Sequence, residues 1–144
     1  MKNNYVVLKE EMIDDVFTHI QINTPLGVFD GCTSADEIDA KYPSKYQGYE
    51  IALGKALRKY AEAAARILRH EVKTLEDIVH AMYSAPHSKE GYHERAVVRG
   101  VLKQKKGELA KWQERIDGIS NSIKLRVQSR DRIVKHYEEK DKNN

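Results

Sequence analysis

Val16-Phe17-Thr18-His19-Ile20-Gln21-Ile22-Asn23-Thr24-Pro25-Leu26-Gly27-Val28-Phe29-Asp30-Gly31-Cys32 is the stretch from which the fold is read. Val16, Thr18, Ile20 and Ile22 fall on one face of an extended chain, and Phe17, His19 and Gln21 on the other. Period-two alternation of β-branched residues is the pattern of a strand with one buried face. Thr24-Pro25-Leu26-Gly27 is turn chemistry, because proline presets φ and glycine accepts a positive φ. Gly27 to Cys32 then returns, so residues 16–32 are predicted to form a β-hairpin. Upstream, Tyr5-Val6-Val7-Leu8-Lys9 reads as a short strand, with Glu10 to Asp15 an acidic break.

Downstream of the hairpin, residues 33–48 are polar and irregular. Ser34 is placed to cap a short helix there, and Pro43 disfavours helix at Tyr42. From Tyr49 the period changes. Leu53, Ala56, Leu57, Tyr60, Ala61, Ala64, Ile67 and Leu68 recur at spacings of three and four, which predicts an amphipathic helix over 48–71. Gly54 inside it costs about 1 kcal/mol relative to alanine. Close approach of another backbone, such as the hairpin, would offset that cost. Thr74-Leu75-Glu76-Asp77 resembles a capping box and predicts a short helix over 75–83, followed by a loop over Ser84 to Ser88.

Residues 90–138 carry a heptad seam. With Leu102 at position a, the a sites are Leu102, Leu109, Ile116, Ile123, Arg130 and Tyr137, and the d sites are Val98, Lys105, Trp112, Ile119, Arg126 and Ile133. Such a pattern predicts a coiled-coil-like helix. About 48 helical residues would span about 70 Å, so the helix pairs with another copy or folds back on itself. Gly107 and Asp117-Gly118 are the candidate break points. The seam keeps its phase across Gly118, which favours one continuous helix and a homo-oligomer. The expected class is therefore α+β: a small antiparallel β-sheet or hairpin head packed on an amphipathic helix (1–88), then a long C-terminal helical, coiled-coil-like arm (89–138) and a frayed tail (139–144).

Composition narrows the function. One cysteine, Cys32, allows neither an intramolecular disulfide nor a cysteine zinc cluster, and points to a reducing, cytoplasmic setting. No apolar run approaches the length of a membrane span, and Met1 to Tyr5 lack the features of a signal peptide. Residues 1–50 hold four Lys against nine Asp and Glu, whereas residues 51–144 hold 21 Lys and Arg against 13 Asp and Glu. The second part thus offers a basic surface that attracts phosphates, although interleaved acids also fit ordinary solvated helices. The acidic first third counts against nucleic acid as a partner.

No motif of catalysis appears. The glycines form no phosphate-binding loop, and the six histidines, His19, His70, His80, His87, His93 and His136, include no pair at metal-ligand spacing. Asp30 and Asp36 near Cys32 disfavour a reactive thiolate. The expectation is no catalytic residue, no metal and no cofactor. Two arginine pairs stand out instead. Arg126 and Arg130 occupy consecutive seam positions and form a fork for phosphate oxygens, unless they pair with acids of a neighbouring chain such as Glu138 or Asp131 or the seam has ended there. Arg95 and Arg99, with Tyr92 and His93 nearby, form a second candidate: an aromatic ring stacks a base while the arginines hold phosphate, unless this is a plain solvated helix face. Tyr42, Tyr46 and Tyr49 either line a pocket or pack the loop on the head.

Residues 20–58 carry a wider layout: Thr24-Pro25-Leu26-Gly27-Val28-Phe29-Asp30-Gly31 at a strand end, the acidic stretch Asp36-Glu37-Ile38-Asp39, then Gly48-Tyr49-Glu50-Ile51-Ala52-Leu53-Gly54-Lys55-Ala56-Leu57-Arg58. This layout resembles the first family of phage Thoeris anti-defence proteins. Lys55 stands where that layout prefers arginine. The resemblance covers about a quarter of the chain. It implies a phage-encoded, non-enzymatic sponge that sequesters a cyclic ADP-ribose-type signal, as a dimer or higher assembly. A phage anti-CRISPR or other host-takeover protein, binding a host defence enzyme directly, is the alternative reading.

Overall fold

A computed structural model of the protein describes residues 4–13, 17–34, 45–84 and 89–143. The architecture is α+β: a three-stranded antiparallel sheet in the order β1-β2-β3, followed by two long helices. The strands are β1 (Val6–Ile13), β2 (Phe17–Thr24) and β3 (Gly27–Ser34), and the helices are α1 (Lys45–Tyr83) and α2 (Lys89–Lys142). The expected short helix after Ser34, Tyr42, and residues 85–88 of the expected loop lie outside the described residues. None of the described helices is long and apolar enough to cross a membrane.

The hairpin forms where alternation places it. Ile20 and Ile22 are fully buried, and Thr18 and Thr24 on the same face nearly so. Burial of each isoleucine contributes roughly 1.5–3 kcal/mol. At the turn, Thr24 Oγ1 accepts from the Leu26 amide at 3.2 Å and donates to the Gly27 carbonyl at 2.8 Å. Gly27 adopts φ 116°, which only glycine takes without strain.

The expected acidic break after Lys9 is corrected: β1 continues to Ile13, with Glu10 opposite Ile20 and Glu11 opposite His19. An edge strand needs backbone pairing on one side only, so its charged side chains stay in water. Lys9, Glu10 and the irregularity between Val7 and Lys9 also guard that edge against pairing with other chains.

The helix break expected near Val72 is likewise absent, and α1 is one element of 39 residues. Thr74 explains it. Its hydroxyl donates to the His70 carbonyl at 3.0 Å, one turn back along the same helix, instead of capping a new one. At the far end, α2 runs through Gly107 and Gly118 without a break, and reaches Lys142, past the tail boundary expected at 138.

The chain divides into two compact units, residues 1–60 with 116–144, and residues 61–115. In the first, the sheet lies on the start of α1. Ile20 and Ile22 join Ala52 and Ala56 in the core, with Tyr5, Val7, Phe29, Tyr49, Leu53 and Leu57 packed around them. A Cβ added at Gly31 would sit 2.0 Å from the Ala52 carbonyl oxygen and 2.6 Å from the Ala56 nitrogen. Strand and helix backbones touch there, so the close approach expected at Gly54 is made by the hairpin's own glycine. Gly54 instead faces Ile123 of α2, whose Cγ1 would lie 2.9 Å from an added Cβ. Gln47 Nε2 donates to Ser129 Oγ at 3.2 Å in the same interface. Thus the seam residue Ile123, expected to face a second copy, packs on α1 of its own chain.

In the second unit, Ala61, Ala64, Ala65, Leu68 and Val72 form the buried stripe of α1. Lys105 pairs with Glu71 at 3.0 Å and Lys106 with Glu76 at 3.3 Å, tying α2 to α1 there. The Glu71 partner also raises the Lys105 pKa. Seam positions Leu102, Lys105 and Leu109 are half-buried, as two paired helices leave one side of the seam open.

Gly31→Ala is expected to destabilise the protein by about 3 kcal/mol or more, since backbone atoms cannot move aside. For Gly54→Ala, a shift of Ile123 is offset by the helix propensity of alanine, leaving stability within about 1 kcal/mol of the wild type. Urea denaturation of both variants measures the difference.

Candidate functional site

The end of α1 and the start of α2 build a cationic, aromatic cluster within the second unit. Arg95 and Arg99 are four residues apart and therefore project from one face of α2. Both meet Tyr83, the last residue of α1. The Arg99 guanidinium carbon lies 4.7 Å from the Tyr83 ring centroid, and that of Arg95 lies 5.9 Å away. These are cation–π distances. Arg95 is 8% exposed, so this ring and the helix pair hold it in place, whereas Tyr92 is 65% exposed and available to a ligand.

Tyr83, Tyr92, Arg95, Ala96 and Arg99 line a cavity of about 230 Å³. Pockets that enclose a whole drug-sized ligand run from about 300 to 1,000 Å³. At about 230 Å³ this one has room for only part of a molecule of that size. Its lining joins two groups of distinct chemistry: guanidinium groups, which bind phosphate oxygens in bidentate fashion, and aromatic rings, which stack on bases.

Of the six residues singled out in the sequence, three meet here: Tyr92, Arg95 and Arg99. His93 is exposed and stands edge-on to Tyr92 with centroids 6.2 Å apart, outside the cavity lining. Arg126 and Arg130 belong to the other unit. Both are half-buried, and Arg130 Nη1 donates to Thr33 Oγ1 of β3 at 3.4 Å. Of that pair, Arg130 therefore also contacts the sheet.

Tyr83 is the site residue that sequence reading missed. Nothing in its neighbours Met82 and Ser84 singles it out. It joins the cluster because α1 ends at Tyr83 and α2 returns beside it. Within the first unit, a cavity of about 260 Å³ is lined by Glu10, Glu11, Met12, Thr18 and Tyr49. Tyr49 thus lines a cavity as well as packing on the core, and burial, followed by Glu10, pushes its hydroxyl pKa up. The carboxylates make that cavity hostile to phosphate. The side chain of Tyr46 lies outside the described residues. Among the described residues, no group of three or more His, Cys, Asp or Glu is placed to hold a metal ion.

No protein-family model, curated protein or solved structure matches this chain.

Tyr83→Leu, which keeps bulk and removes the π face, is expected to cost about 1 kcal/mol of stability, and Tyr83→Phe only a few tenths. Chemical denaturation of the two variants checks this ordering.

Proposed function

We propose that this chain is a phage-encoded, non-enzymatic inhibitor of bacterial immunity that sequesters a cyclic ADP-ribose-type nucleotide signal in the host cytoplasm. The observation that carries the reading is the arginine pair around Tyr83, with Tyr92 open beside it. Two cations of fixed spacing hold phosphate, and an exposed ring stacks a base. The resemblance over residues 20–58 supplies the class of signal. The cavity seats only part of such a molecule, so a second copy of the chain completes the enclosure in this reading.

A second reading has its own support. Val6 is 65% exposed, Leu8 52% and Ile13 50%, all on the edge strand β1. Exposed apolar side chains of this kind suit side-chain contact with a host defence protein, rather than strand pairing, as an anti-CRISPR or host-takeover factor would use.

Incubation with a cyclic ADP-ribose isomer, removal of free ligand by filtration, and denaturation of the protein distinguish the two. Sequestration predicts release of the intact nucleotide. Arg95→Ala with Arg99→Ala is expected to weaken retention at least tenfold, and Arg126→Ala to leave it within about twofold. Failure of the wild type to retain any nucleotide, together with capture of a stoichiometric host protein, would favour the second reading.

A further inference from the structure

We propose that His19 is a proton-operated clasp across the sheet: its protonated ring ties the edge strand β1 to β2 and β3, and its neutral ring lets β1 open.

His19 stands on the outer face of the central strand, opposite Glu11 of β1 and Cys32 of β3. Its Nε2 lies 3.2 Å from Asp30 Oδ2, and its Nδ1 lies 3.9 Å from Glu11 Oε2. Each carboxylate gives its other oxygen to a lysine. Lys9 Nζ is 3.0 Å from Glu11 Oε1, and Lys59 Nζ of α1 is 3.5 Å from Asp30 Oδ1. The result is a row of alternating charge, Lys9, Glu11, His19, Asp30, Lys59, crossing all three strands and reaching α1. Cys32 lies opposite His19 on β3, and Lys55 Nζ donates to its carbonyl at 3.2 Å.

A neutral imidazole has one N–H and one lone pair, and an ionised carboxylate only accepts. The shorter contact takes the proton, so neutral His19 donates from Nε2 to Asp30. That leaves the Nδ1 lone pair facing the Glu11 carboxylate, two acceptors that repel. A distance of 3.9 Å is too long for a hydrogen bond. A second proton makes Nδ1 a donor, and the Glu11 side chain, 42% exposed, is free to close the gap. Asp30 remains an anchor throughout, because the His19 hydrogen bond, and then Lys59, hold its carboxyl below the ordinary range against the opposing effect of burial.

The sign follows from the count of partners. Protonated His19 has two and neutral His19 has one, so the extra contact is present when both ring nitrogens carry a proton and lost when one gives it up. β1 is the element able to respond. It is an edge strand, paired only with β2, largely exposed, and irregular between Val7 and Lys9. Elements of this kind open locally while the core stays closed.

Amide hydrogen exchange on the full chain at pH 5.5 and pH 8.0, corrected for intrinsic exchange, tests the clasp. The slowly exchanging amides of Lys9 to Ile13 are expected to open roughly threefold more often at pH 8.0, the scale an exposed pair supports. Amides of Ala52 to Ala56 in α1 serve as the folding control. His19→Gln and Glu11→Gln are each expected to remove the pH dependence of β1. Because Glu11 is exposed, Glu11→Gln decides the matter even if His19→Gln weakens the sheet. Equal opening of β1 at both pH values in the wild type, or a wild-type pH dependence retained in Glu11→Gln, overturns the proposal.

Discussion

Everything in the first unit depends on the contact of Gly31 with Ala52 and Ala56, where a strand and a helix meet backbone to backbone. With any Cβ at position 31 the two elements would be forced apart, and Ile20 and Ile22 would lose the alanine surface that buries them. Small side chains on α1 permit the same closeness from the other side. Once β3 rests on α1, Lys55 reaches the Cys32 carbonyl and Lys59 reaches Asp30, one helical turn apart. Arg130 and Ser129 of α2 then find Thr33 and Gln47 already in position.

Helix pairing follows similar economy of bulk. Gly54 receives the Ile123 side chain in the first unit, and a run of alanines forms the buried stripe of α1 in the second. Ion pairs at Lys105–Glu71 and Lys106–Glu76 lie at half-exposed positions, where they add orientation more than energy. The cation–π contacts of Tyr83 serve differently. They hold two guanidinium groups against one ring at the junction of the helices.

The two cavities are opposite in electrostatic character. Carboxylates of β1 line the one in the first unit, while arginines and aromatic rings line the one in the second. An anionic, ring-bearing molecule would thus meet like charge in the first and opposite charge with aromatic rings in the second. The outer face of the sheet adds a third polar feature, in which each carboxylate divides its oxygens between a lysine and the central histidine.

The hairpin could be read from the chain because strand alternation, turn proline and positive-φ glycine are local, and a run of seventeen residues contains them all. Helical periodicity from Tyr49 and the uninterrupted seam phase through Gly118 were equally local. Misreadings arose where one residue type serves two local bonds. Thr74 looks like a cap until its hydroxyl is found bonded one turn back, and an acidic run looks like a break until edge position leaves its side chains in water. Arg95 and Arg99 were visible as an i, i+4 pair, but Tyr83, twelve residues before Arg95, joins them only after α2 turns back along the end of α1. Side-chain periodicity states which face of an element is apolar. It carries no information on which distant element covers that face, and so the partner of Gly31, of Ile123 and of the arginine pair emerged only when the chain closed on itself.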